Sequence, residues 1–193
     1  MKKGAMFGLD ARIALAIFGA LSVISGAALY GAIQQSKVVA IVSELNEVSK
    51  AIEAFMLDTG VDIGKTGATN FYFGDLVNNS SSFDGWNGPY FPQIGKLAGA
   101  LSREYIDHPL YGNILLRDLE SNLGGSNYSN PNGCSTRPCY YWIQINGLSE
   151  SLTKAIDNYV DGSAGLDSGR VRILTSDSYS GFYIKGPLVL KQP

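Results

Sequence analysis

Charge, histidine and cysteine are all scarce in this chain. Of its 193 residues only 17% are Asp, Glu, Lys or Arg, against roughly 25% in an average soluble domain. One His and two Cys do not make up a zinc site of the usual Cys/His composition, so no metal ligand set is expected. Lys and Arg number 15 against 17 Asp and Glu, a formal net charge of -2, which excludes a global basic field for holding nucleic acid. Two apparent catalytic signals fail on spacing. Gly64-Lys65-Thr66 has Thr59 where a phosphate loop needs its first Gly, and Asp107 and His108 come with no G-x-S-x-G nucleophile turn. Neither an enzyme nor a cofactor is expected. Proline is also absent before Pro89, so nothing in that stretch is obliged to break a helix.

What the sequence does hold is a long apolar run. Ile13 to Ile33 contains no charge and has about the 20 residues needed to cross a bilayer as a helix. Lys2, Lys3 and Arg12 precede it and Lys37 follows it, which places the N-terminus in the cytoplasm and exports the remainder. From Gln34 to Asp58, Val38, Ile41, Val42, Leu45, Val48, Ile52, Phe55 and Met56 recur at helical spacing. Glu44, Glu47, Lys50 and Glu53 take the other face, and Thr59-Gly60 stops the pattern. A helix from Leu9 to Asp58 would be roughly 75 Å long, so its first half is expected to pack on lipid or on other copies. An ordinary signal peptide cut near Ser25-Gly26-Ala27 is the alternative, but that cut would discard half of one helix.

Beyond Gly60 the chain is rich in Gly, Asn, Ser and aromatics as far as Pro131, and reads as a long loop region with short helical stretches at Asp75 to Asn78 and Gly95 to Arg103. Strands are expected at Asn113 to Leu119, Tyr140 to Ile145, Arg170 to Thr175 and Gly181 to Lys185. A helix capped by Ser149 is expected up to Val160. The fold class is therefore α+β, with a long helix packed on a small antiparallel sheet.

A basic leader, a small residue, a single carboxylate and an apolar helix that turns amphipathic together resemble the type IV pilin and type II secretion pseudopilin family. Members are cut by a prepilin peptidase after a residue that is nearly always Gly, and carry Glu at the fifth place of the mature chain. Cutting after Gly8 would put Ile13 there. Cutting between Ala5 and Met6 puts Asp10 there and aligns Ala16-Ile17-Phe18-Gly19-Ala20-Leu21 with the family's Ala-Ile-x-Gly-x-Leu run. Ala for Gly, Asp for Glu, and Arg12 are departures from the pattern. The helix also lacks the family's bending Pro, leaving Ser22, Ser25 and Gly26 as its softer points. Gly85-Trp86-Asn87-Gly88-Pro89-Tyr90-Phe91 and Asp107-His108-Pro109-Leu110-Tyr111-Gly112-Asn113 are similar to the W-x-GPY and DPWG-x-Y stretches of major pseudopilins, with His108 inserted and Leu110 where Trp is usual.

The resemblance implies four regions: a leader (1–5), a membrane-spanning and filament-core half-helix (6–33), an amphipathic half-helix (34–58) and an α+β head (59–193). It implies processing at Ala5 and Met6, N-methylation of Met6, and assembly through Asp10, whose carboxylate pairs with the freed amine of a neighbour. The implied partners are copies of the chain and other pilins, the prepilin peptidase, an inner-membrane assembly platform and lipid. The implied product is a pilus or a secretion pseudopilus, reached from a single-pass position in the inner membrane. Three alternatives stay open: an anchored or secreted periplasmic binding domain with the aromatic loop as its ligand surface, an Asp10 that only neighbours Arg12 at the headgroups, and calcium held by Asp161 and Asp167 rather than a solvated turn. Cys134 and Cys139 in an exported head are expected to form a small-ring disulfide, two buried thiols being the alternative.

Overall fold

The computed structural model describes residues 5–125, 133–162, 165–176 and 179–192; leader residues 1–4 lie outside these, as do Ser163 and Ala164 of the acidic loop. Helix α1 runs without interruption over Ala5–Thr59. It passes through Ser22, whose hydroxyl is satisfied by the Phe18 carbonyl at 2.8 Å. At its end the Thr59 hydroxyl donates to the Phe55 carbonyl at 2.8 Å, and Gly60, with φ +69°, returns its N–H to Met56 at 2.9 Å. Gly tolerates that left-handed turn because it has no Cβ.

By internal packing the chain separates into residues 1–40 and 41–193. The first unit is the N-terminal part of α1, long and apolar enough to span a membrane. The second unit begins within α1, where Ile41, Val42, Leu45, Val48, Ile52 and Phe55 are all buried. These are the residues that helical spacing predicts for the inner face, and each fully buried Leu, Ile or Phe contributes about 1.5–3 kcal/mol.

They face an antiparallel sheet of eight strands: β1 (Lys65–Thr66), β2 (Asn70–Phe71), β3 (Lys96–Ala98), β4 (Tyr105–Asp107), β5 (Asn113–Glu120), β6 (Cys139–Ile145), β7 (Val171–Ser176) and β8 (Tyr179–Leu188). The spatial order is β1-β2-β5-β6-β8-β7, with the β3–β4 pair also joined to β5. All four expected strands are present. The stretch read as a long loop instead supplies β1 to β4, because strands of two or three residues carry no alternation for the eye to find. Likewise the helical stretch expected from Gly95 holds β3, followed only by a 3₁₀ turn at Ala100–Ser102. The stretch expected at Asp75 to Asn78 is met by a 3₁₀ turn at Phe73–Leu76.

Register places Ile114 opposite Ile145 and Leu116 opposite Ile143, and Ile143 opposite Ile184, so these apolar residues share one face. On the other face Leu119, Leu123, Trp142, Leu174 and Tyr183 form a second fully buried cluster. Helix α2 (Glu150–Asp161) is capped by Ser149, whose hydroxyl accepts the Leu152 N–H.

Candidate functional site: the apolar half of the long helix

Every residue from Asp10 to Ile33 is exposed. The stripe includes Phe18 at 71%, Val23 at 73% and Tyr30 at 67% relative exposure. Such an apolar surface on a helix needs lipid or protein around it. Asp10 and Arg12 are its only charges before Lys37. Ala5 opens the helix, Met6 follows it within the first turn, and both side chains lie outside the described residues.

In the second unit the aromatic loop is occupied with its own chain. Phe55 of α1 makes edge contacts with Phe83 at 5.0 Å and Tyr90 at 5.7 Å, and Trp86 meets Tyr90 at 5.5 Å. The Tyr90 hydroxyl donates to Asp58 at 2.9 Å and accepts the Asn87 N–H at 2.8 Å. The Trp86 indole N–H donates to the Asp75 carbonyl at 2.8 Å. A Cβ on Gly85 would lie 2.5 Å from the Asp58 carbonyl oxygen, which is why Gly stands there. The Gly-Pro-Tyr stretch is thus a clamp on the end of α1.

Three polar anchors were not legible beforehand. Asp75 is fully buried, accepting from Ser81 at 2.8 Å, Gly64 N–H at 3.3 Å and Arg103 at 3.4 Å; burial raises its carboxyl above the usual range against the pull of those partners. His108 Nδ1 accepts the Leu110 and Tyr111 N–H groups, each at 3.1 Å. With Nδ1 accepting, the N–H at Nε2 is directed to Glu44, 3.1 Å away, so both nitrogens hold a turn to α1. Asp62 holds the C-terminal segment through the Leu190 and Lys191 N–H groups at 2.9 and 2.8 Å. Polar residues in a Gly- and Asn-rich stretch look solvated in a sequence, and only the pairing of distant segments supplies their partners.

Cys134 and Cys139 are joined in a disulfide, with Cα atoms 5.7 Å apart. Asp118 lies beside it, paired with Lys65, so Lys65 of the failed phosphate-loop pattern serves an ion pair. Around the acidic loop, Asp161 accepts the Val171 N–H at 2.6 Å. The buried Arg172 lies 5.6 Å over Trp142. Burial lowers its basicity while Asp161, Asp167 and Asp157 favour its charge. The positive charge facing these carboxylates is therefore one the chain itself carries. Comparison with family models, curated proteins and solved structures finds no match to this chain.

Proposed function

We propose that this chain is the subunit of a helical filament of the type IV pilin class, either a pilus or a secretion pseudopilus. In this reading it is held in the inner membrane by the apolar half of α1, cut between Ala5 and Met6 by a prepilin peptidase, and added to a filament by an assembly platform. The observation that carries it is the apolar surface of α1 from Ile13 to Ile33, exposed along its whole length, with one carboxylate near its start. Lipid covers such a surface before assembly and the helices of neighbouring copies cover it afterwards.

Asp10 has a different part. A carboxylate within the bilayer costs up to about 2.5–3.5 kcal/mol at its centre, and a neighbour's freed Met6 amine offsets that cost only when copies meet. The carboxylate therefore opposes residence in lipid and favours assembly. The aromatic loop supports this reading over a ligand-binding one, since Trp86 and Tyr90 are engaged with Asp75, Phe55 and Asp58.

The test compares sheared filaments with the membrane fraction for wild type, Asp10→Ala and Asp10→Glu. Asp10→Ala is expected to insert normally but to lose filaments, because breaking a desolvated ion pair costs about 3–5 kcal/mol. Asp10→Glu is expected to assemble. Equal filament yield from Asp10→Ala would refute the role of the carboxylate.

A further inference from the structure

Arg12 sets a positive charge in the same apolar stretch as Asp10. Between Met6 and Lys37 the chain carries one anion, Asp10, and one cation, Arg12, both exposed on α1. Two residues along an α-helix correspond to a rotation of about 200° and a rise of about 3 Å. The two side chains therefore leave nearly opposite faces, and positions i and i+2 do not meet on a helix. Among the described residues no ion pair joins either of them to another group.

We propose that Arg12 of one copy pairs with Asp10 of the next, so that each copy offers an anion on one face of α1 and a cation on the other. The inference rests on the filament reading and adds the second partner of its carboxylate. An ionised carboxylate has two oxygens and accepts several hydrogen bonds, so one Asp10 serves a neighbour's amine and a guanidinium together. The guanidinium is the better second donor because its planar fork matches a carboxylate and is more weakly hydrated than an ammonium.

The placement of the charges also bears on symmetry. A contact between different faces of identical copies is heterologous, and unless its rotation closes a ring it repeats into an open helical array. Opposite charges on opposite faces of one helix favour that arrangement. Two copies meeting through the same face would instead set Asp10 near Asp10 or Arg12 near Arg12. The pair also selects partners: a copy lacking either charge leaves the other desolvated and unpaired, which disfavours its incorporation.

Two measurements on the full-length chain in its membrane test the proposal. In the first, two differently tagged forms of the chain, both carrying Arg12→Lys and so keeping both charges, are co-expressed, and the membranes are treated with a carbodiimide, which joins a touching ammonium and carboxylate as an amide while it takes up the released water to become a urea. Peptides joining position 12 of one copy to Asp10 of a differently tagged copy are expected; their absence would overturn the proposal. In the second, sheared filaments are quantified for Arg12→Ala, Arg12→Glu and Arg12→Lys at equal membrane levels. The Ala and Glu variants are expected to fall about a hundredfold or more, and Lys to retain assembly. Wild-type yield from Arg12→Ala would overturn the pairing while leaving the filament reading standing. No filaments from wild type, together with 10–12 cross-links between the Arg12→Lys copies, would overturn the filament reading and leave the pairing. Absence of both overturns both.

Discussion

The Tyr141 hydroxyl donates to Asp62 Oδ1 at 2.9 Å and accepts the Ile63 N–H at 3.1 Å. Asp62 lies just beyond α1, Tyr141 is fully buried in β6, and the same carboxylate receives the amides of Leu190 and Lys191. One residue pair thus ties the exit of the long helix to the middle of the sheet and to the C-terminal segment. Burial, reinforced by the Asp62 charge, raises the phenol far above its ordinary value, so it remains a donor throughout the working pH range.

Tyr141→Phe removes both hydrogen bonds and leaves the Ile63 amide buried without its acceptor. The expected loss is about 1–3 kcal/mol, read as a lower urea midpoint for the detergent-solubilised full chain. Asp62→Ala is expected to speed hydrogen exchange at Leu190 and Lys191 as well, because their acceptor is gone. Unchanged exchange there would show that the carboxylate does not hold the segment.

Asp75 sets a pH dependence. Burial raises its folded-state pKa above the ordinary 3.8, so the folded chain binds this proton more tightly than the unfolded chain. Its stabilising contribution is full below that value and is lost as pH rises through the raised pKa. Asp75→Asn cannot titrate, and its urea midpoint is expected to fall less than that of wild type between about pH 4 and pH 7. Parallel pH profiles for the two proteins would contradict this.

The Cys134–Cys139 bond closes a ring across a sequence separation of 5, far shorter than the 15-residue loop whose closure is worth about 3 kcal/mol. Reduction is therefore expected to cost at most about 3 kcal/mol and to leave the head folded. Thiol labelling of native, unreduced protein is expected to fail at both positions. Quantitative labelling of both would exclude the bond from the mature chain.

The parts of the fold that could be read in advance are those with long periods. Val38 to Phe55 recur every three or four residues over several turns, and β5 and β6 are long enough for their apolar and aromatic content to stand out. The short strands β1 to β4 could not be read, since each spans only two or three residues; β2 and β4 owe their place to pairing with the long β5, and β1 and β3 to pairing with β2 and β4. The same holds for polar anchors. Nothing local marks the buried Asp75 or the half-buried Glu44 and Asp62 as anchors, because donors such as Arg103, His108 and Leu190 lie far along the chain. Asp10 and Arg12 were legible as isolated charges in an apolar run, whereas their separation onto opposite faces follows from the uninterrupted helix around them.

A processed filament subunit differs from every alternative in the mass of its mature N-terminus. Intact-mass and N-terminal peptide analysis of membrane extracts is expected to show loss of Met1 to Ala5 and an N-methylated Met6. A mature chain beginning at Ala28 would identify an ordinary signal peptide and contradict the account. A chain still beginning at Met1 in a host with active prepilin peptidase would contradict it equally.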